Sequence, residues 1–286
     1  MRLLACTVTR RPPDVCRPSV EFVLRTCNEC DFLIVINGAD ARQYTPQKFN
    51  NNTRLSTMHI PVNVGHPGGI NFALGVAVSL GYEYFLLLDD DITFITEDWY
   101  AKCLQLMAFD PQIGCIGAKV LNPDMQTVQW GYTRITPQGW DFNMGQPREK
   151  AIVNRILRGC MVQCCVLFCR MEAIRKVGYF DLLFSPTQYE DADYSFRMWV
   201  NGYSCVYDGR IEIVHHFKVY KDNDDPMRRL HSDAHAYAID RKYNGVLQFG
   251  MGLEQHIDKI GREIVLPQSA PAPPLQSAPP PGSQKV

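Results

Sequence analysis

The chain lacks a charge bias. Its 29 lysines and arginines face 30 aspartates and glutamates, for a net charge of −1. The basic footprint of a nucleic-acid protein is missing, so no nucleic-acid partner is expected. Missing too is any apolar run of the roughly 18 residues that spanning a bilayer requires; the longest candidate, Cys160 to Cys169, is interrupted by Gln163. The stretch Met1–Thr9 is too short for a secretory signal and reads as a first strand. These absences lead us to expect a cytoplasmic protein with no transmembrane segment. A disulfide framework is also not indicated. The cysteines number eleven, an odd count spread through a long chain, and they read as reduced thiols. Cys27 and Cys30 form one C-x-x-C, but Cys160, Cys164, Cys165 and Cys169 fit no zinc module. Among apolar neighbours they read as small core hydrophobes.

What the chain does have is apolar content, 46% over 286 residues, enough to bury a full core. Leu3–Val8 reads as a strand, 19–27 as a helix and Asp31–Ile36 as a second strand. A short third strand lies near 58–62. Gly69–Leu80 carries Ile70, Ala73, Leu74, Ala77 and Val78 at helical spacing, stopped by Gly81. A strand at 84–88 and a helix over 97–108, capped by Thr96, follow. Strands alternating with helices imply right-handed βαβ units, a mostly parallel sheet and an α/β fold. Residues 122–158 are polar and aperiodic, and read as loops and short antiparallel strands over the sheet. Helices are expected over 191–200 and about 227–243. From Pro267 onward seven prolines accompany Ser, Gln and Ala, a composition that cannot order itself and reads as a disordered tail.

Chemistry concentrates at the end of the 84–88 strand. Tyr84-Phe-Leu-Leu-Leu88 runs straight into Asp89, Asp90 and Asp91. Carboxylates that close repel unless a cation neutralises them, and the carboxyl end of a buried strand is where open α/β sheets bind ligands. A divalent metal site is the economical reading, a solvated acidic turn the plain one. Three further segments accompany it. Asn37-Gly-Ala-Asp40 follows the second strand. Asn63-Val-Gly65-His-Pro-Gly68-Gly69-Ile-Asn71 is a glycine-rich turn opening a helix, suited to an anion or nucleotide. Val177-Gly-Tyr-Phe-Asp181 precedes Tyr189-Glu190-Asp191-Ala-Asp193, then Asn201-Gly-Tyr203 and His215-His216.

This ordered set, covering roughly residues 1–245, resembles the family 2 glycosyltransferases of GT-A fold, and within them the non-processive, rhamnosyltransferase-like members. The resemblance implies a Rossmann-like, mostly parallel sheet in a single globular domain. A nucleotide-sugar-binding half would span 1–121, an acceptor-binding and catalytic half 122–226, a helical segment 227–266 and the tail 267–286. It implies a nucleotide-sugar donor and Mn²⁺ or Mg²⁺. Asp91 would bind the metal, Asp89 the metal or the ribose, and His215 would be a third ligand with His216 as its rival. Asp191 would be the general base of an inverting transfer to a hydroxyl acceptor, with Glu190 as fallback. Thr7, Asn37, Asp40, Asn63, Gly65, Gly69, Asn71 and Asp90 would line the donor site, with Asp90 the most replaceable of the three aspartates. Trp130, Trp140 and Tyr189 would shape the acceptor site.

The chain departs from the pattern at Ile36 and Asn37, where many relatives carry an acid that reads uracil. That leaves the nucleobase open: UDP remains the default, with GDP and dTDP as the alternatives. The processive Q-x-x-R-W motif has only a misplaced near match at Gln126–Trp130. Arg228 and Arg229 could reach the diphosphate, though a solvated basic face is the plainer reading. His231 and His235 read as surface residues. Two rivals stand. Asp89-Asp-Asp-Ile-Thr93 fits the D-x-D-x-T motif of haloacid-dehalogenase-type phosphatases, which place it on the first strand. A non-catalytic sugar- or protein-binding module on the same fold is the other.

Overall fold

The computed structural model describes residues 2–136, 139–216, 226–243 and 259–267; the side chains of Trp140 and Arg228, and nearly all of the proline-rich tail, lie outside the described residues. In chain order the elements are β1 (Leu3–Thr9), α1 (Pro13–Thr26), β2 (Cys30–Asn37), β3 (Leu55–Ile60), α2 (Gly65–Ser79), β4 (Tyr84–Leu88), β5 (Ile92–Phe94) and α3 (Trp99–Phe109). Then come β6 (Ile113–Leu121), β7 (Val128–Trp130), β8 (Arg134–Thr136), β9 (Gly139–Asp141), β10 (Ile156–Gly159) and β11 (Val166–Arg170). The described chain continues with α4 (Met171–Val177), α5 (Glu190–Val200), β12 (Ser204–His215) and α6 (Pro226–Lys242).

Ten strands form one sheet in the order β10–β12–β6–β11–β4–β1–β2–β3, with β5 added on β12 and β7 on β6. β3, β2, β1, β4, β6 and β12 run in one direction, while β11, β10, β5 and β7 run against it. The sheet is continuous across residue 121, so the donor and acceptor halves expected from sequence share one sheet and form a single mixed α/β domain. Successive side chains of a strand face opposite ways, and the two cores follow that alternation. Leu3 and Ala5 pack with α1 and α3 on one face; Leu4 and Cys6 pack with α2, α4 and α5 on the other.

Boundaries moved where local chemistry overrode periodicity. α1 begins at Pro13 rather than Ser19, because a proline presets the helical φ at a first position whose N–H is unpaired anyway. α2 begins at Gly65, inside the glycine-rich segment. α3 begins at Trp99 because Thr96 is committed elsewhere: its hydroxyl accepts from the Glu212 amide at 2.9 Å. The short strands expected over 122–158 are β7 to β10. All eleven cysteines are buried and unpaired by disulfides, and Cys27 and Cys30 belong to no metal-type cluster among the described residues.

Gly69 sets how closely α2 approaches β1. A Cβ there would stand 2.4 Å from Val8 Cγ1, whereas one at Gly75 on the same helix meets nothing within 4 Å. Gly69→Ala should therefore destabilise the fold by about 1–3 kcal/mol through overpacking. Gly75→Ala should stabilise it by about 0.5–1 kcal/mol through helix propensity. Urea denaturation of the two variants checks this, and equal midpoints would contradict it.

Candidate active site

β4 is apolar on both faces because helices cover both sides of the sheet at its position, and its buried run ends abruptly at Asp89. The carboxyl ends of β1, β4 and β12, the amino end of β11 and the amino end of α5 meet there around a cleft of about 670 Å³. Arg11, His66, Asp89, Asp90, Asp91, Trp130, Cys165, Tyr189, Glu190, Asp191 and His215 all face it. That volume suits a small-molecule ligand.

The three aspartates have separate environments. Asp91 is the most strongly paired. His215 Nε2 lies 3.1 Å from its Oδ1, and Arg11 Nη1 donates to its Oδ2 at 2.6 Å. Burial alone would raise its pKa, but the hydrogen bonds from His215 and Arg11 outweigh it and hold the carboxyl at about 2. Asp89 is 3.6 Å from His215 Nε2 and 3.8 Å from His66 Nε2. Its pKa is raised, because burial outweighs the pull of His66 and His215. Asp90 is the most buried residue of the three; it accepts from Thr9 Oγ1 at 2.6 Å and lies 3.3 Å from Arg11. Sequence reading placed Asp90 as the most replaceable. The structure makes it the clip joining the ends of β1 and β4.

His215 rather than His216 joins this group. His216 is exposed and its Nε2 is 2.8 Å from Thr93 Oγ1. His215 is buried, and its Nδ1 donates to Gln129 Oε1 at 2.6 Å. That bond fixes the tautomer and aims Nε2 at Asp89 and Asp91, the outer-shell arrangement a metal-binding imidazole uses. Carboxylates and an oriented imidazole are a suitable donor set for a divalent cation, and Asp89, Asp91 and His215 are the residues that could hold one.

Glu190 and Asp191 open α5 after a left-handed Tyr189, whose φ is 68°. Glu190 is buried, and its Oε1 accepts from His66 Nδ1 at 3.0 Å and from Thr187 Oγ1 at 3.1 Å. Asp191 is partly exposed to the cleft and accepts from the Ala192 amide at 2.8 Å. Burial first, and then the neighbouring Glu190 charge, push its pKa up to about 7. Perturbation of this size in a cleft makes Asp191 a functional-site candidate.

The other expected donor residues take structural roles. Thr7 is fully buried within β1 and does not line the cleft. Asn37 donates from Nδ2 to Asn63 Oδ1 and Gly65 O, and its Oδ1 accepts from the Val64 amide. Asn71 holds Phe180 by two hydrogen bonds, at 2.8 and 2.9 Å. Gly65 has φ +79° and Gly69 abuts Val8. The His66 amide is taken by Pro186 O at 2.7 Å. The glycine-rich segment is thus a joint that brings His66 to the cleft, not an exposed anion cradle. Asp40 caps a short turn by accepting from Arg42 at the surface.

Trp130 lines the cleft edge-on to Phe142, with ring centroids 5.3 Å apart. Tyr189 lines it too, whereas the Trp140 side chain lies outside the described residues. Arg229 is exposed on α6 and does not line the cleft. His235, read as a surface residue, is buried, with Nδ1 3.1 Å from both Thr187 O and Gln188 O. It holds α6 over the turn that presents Glu190 and Asp191. Sequence reading missed Arg11, His66 and Gln129. Arg11 had one signal, a basic pair directly after the first strand.

No family model matches the chain. The uncharacterized protein y4gI of Sinorhizobium fredii is 26% identical over 232 residues, 77% of this chain and 25% of that protein. Among solved structures, GalNAc-T7 with UDP, GalNAc and Mn²⁺ superposes at a TM-score of 0.60 with 12% identity, over 77% of this chain and 44% of that one. S. aureus TarS superposes at 0.52 with 15% identity, over 85% of this chain and 44% of that one. The chain therefore spans a quarter of y4gI and less than half of either solved chain. These likenesses show the GT-A fold, the fold of glycosyltransferases.

Replacing Asp90 by alanine should leave the Thr9 hydroxyl buried without its acceptor and cost about 1–3 kcal/mol of stability. Denaturant unfolding measures it, and an unchanged midpoint would show that Asp90 is dispensable after all.

Proposed function

We propose that the cleft moves a glycosyl group from a nucleoside-diphosphate sugar to a hydroxyl acceptor by one inverting displacement. The observation that carries this reading is a partly exposed carboxylate with a pKa of about 7, Asp191, sharing a cleft with a metal-type donor set on a GT-A fold. GalNAc-T7 holds UDP and Mn²⁺, which favours UDP as the donor nucleotide and Mn²⁺ over Mg²⁺ here.

An acceptor hydroxyl is a weak nucleophile until a base takes its proton during attack. Asp191 has the two properties required: it reaches the cleft, and its pKa places it between a strong acid and a spent base at neutral pH. Glu190 is the poorer candidate, because His66 and Thr187 already occupy its Oε1. Its charge instead raises Asp191. The departing nucleoside diphosphate carries growing negative charge, which a divalent cation held by Asp89, Asp91 and His215 would neutralise. Arg11 stands beside the same carboxylates, half exposed, and adds a positive side chain at the diphosphate end. Trp130 and Tyr189 offer apolar faces for the sugar or acceptor.

The phosphatase reading loses its fold, since Asp89 follows the fourth strand rather than the first. Its assay remains a useful control: metal-dependent phosphate release from simple phosphomonoesters is not expected.

A panel of nucleotide sugars with Mn²⁺ or Mg²⁺, read by nucleotide release, tests the proposal. Asp91→Asn should lose metal-dependent nucleotide binding. Asp191→Asn should keep donor binding while transfer falls by about 10²–10⁴-fold; transfer at the wild-type rate would sink the base assignment.

Asp191 must be ionised to act and its pKa is raised, so activity is lost on the acid side. kcat/KM should fall about tenfold per pH unit below the pKa of Asp191, about 7 before the cation binds and lower with it, and level off above it. Glu190→Gln removes the charge that helps raise Asp191, so this limb should move to lower pH. A limb that stays in place would assign it to another group.

A further inference from the structure

Cys165 stands at the floor of the cleft, directly across the sheet from the acidic strand end. β11 and β4 are antiparallel with Val166 opposite Leu88, so the next pair along is Cys165 with Asp89. The Asp89 amide donates to Cys165 O at 3.1 Å and locks that register. A carboxylate oxygen of Asp89, the sulfur of Cys165 and a ring nitrogen of His215 lie within 4.8 Å of one another. Among the described residues no other group of three His, Cys, Asp or Glu side chains meets that geometry.

We infer that Cys165 is a ligand of the cation together with Asp89 and His215, giving the site one sulfur donor. The inference rests on the cation-dependent reading above. Donors bound to one tetrahedral ion at ordinary metal–sulfur and metal–nitrogen lengths stand about 3.5 Å apart. The observed spacing therefore closes with small side-chain rotations and no backbone movement. The backbone does not need to give, because the Asp89–Cys165 hydrogen bond and the Gln129–His215 bond hold the two sides in place. The thiolate is the ligating form, so binding sends the thiol proton to solvent.

A sulfur donor changes what the site selects. Magnesium takes oxygen ligands and keeps its waters, whereas thiolate with imidazole suits borderline and soft ions such as zinc, cobalt and cadmium. An Asp–Asp–His site alone discriminates weakly between magnesium and these ions. With Cys165 added, the preference turns against magnesium. Cys164 is the natural control. It lines the same cleft but packs in the opposite core and belongs to no metal-type group among the described residues.

Titration of the full chain with Co²⁺, followed by absorption, reads the ligands without an activity assay. The expected result is visible d–d bands together with a near-ultraviolet sulfur-to-cobalt band that saturate at one equivalent. Cys164→Ser should keep both. Cys165→Ser should keep the d–d bands, lose the sulfur band and bind Co²⁺ more weakly, while Mg²⁺ affinity is unchanged. Outer-shell partners alone are worth 10–100-fold in metal affinity, so losing a direct ligand should cost at least about tenfold. Cys165→Ala serves if the serine variant does not fold, and the wild-type spectrum needs no variant at all. A wild-type cobalt complex with d–d bands and no sulfur band, or a sulfur band that persists in Cys165→Ser, overturns the inference and leaves the metal site standing. Absence of any cobalt spectrum in the wild type overturns the metal site and the inference together.

Discussion

Asp89, Asp90, Asp91, Glu190 and Asp191 crowd around one cleft, and the rest of the structure depends on how their mutual repulsion is contained. Two like charges 4 Å apart repel by about 4 kcal/mol at the effective dielectric of a protein surface, so such a cluster would spread unless countercharge were built in. Each countercharge comes from a different element. Arg11 reaches Asp90 and Asp91 from the end of β1, His66 links Glu190 and Asp89 from the start of α2, and His215 meets Asp89 and Asp91 from the end of β12. Electrostatic demand therefore ties together three parts of the chain that the sheet alone would leave independent. The residual imbalance is expressed in the raised pKa of Asp191.

The alternation of strands and helices was readable because buried strands and amphipathic helices have distinct periods, and β4 was placed at its residues by an apolar run that stops at charge. The acidic strand end and the Glu190–Asp191 pair were readable for the same reason: charge directly adjoining buried sequence needs an explanation. Of the countercharges only His215 was readable. Arg11 and His66 are 78 and 23 residues from Asp89 along the chain, and only the fold brings them to the same cleft; Gln129, which orients His215, is 86 residues from it. Nothing local distinguishes Arg11 from Arg10, or His66 from any residue of a tight turn. His235 was misread because α6 shows little amphipathic contrast, so its buried side could not be told from its exposed one.

The glycine-rich segment shows how one pattern serves two purposes. Glycines at a helix start read as an anion site, yet Gly65 and Gly69 are required here by close packing against Ser185 and Val8. Asn37, Asn63 and Asn71 consume their hydrogen-bonding capacity in holding Gly65, Val64 and Phe180. The segment reaches the cleft through one side chain, His66, which its packing positions. α6 acts in a similar way from the other side. Lys242 bonds Asp181 and the fully buried Asp193, Tyr243 bonds Asp193, and His235 meets the carbonyls of Thr187 and Gln188. A carboxylate as deeply buried as Asp193 needs those donors together with Arg197. Docking of α6 is thus coupled to the position of the turn that precedes Asp191.

The same electrostatics link the two halves of the proposed reaction. Asp89 is among the charges that raise Asp191, so positive charge brought to Asp89 must lower it again. An enzyme without its cation would hold Asp191 partly protonated at neutral pH and idle. Bringing a cation to Asp89 and Asp91 would ionise the base, and the arrival of the diphosphate would restore part of the negative field and with it the basicity. On the proposed mechanism the strength of the base would follow occupancy of the donor side through the field. Glu190, fixed by His66 and Thr187 beside Asp191, sets the level about which that field swings.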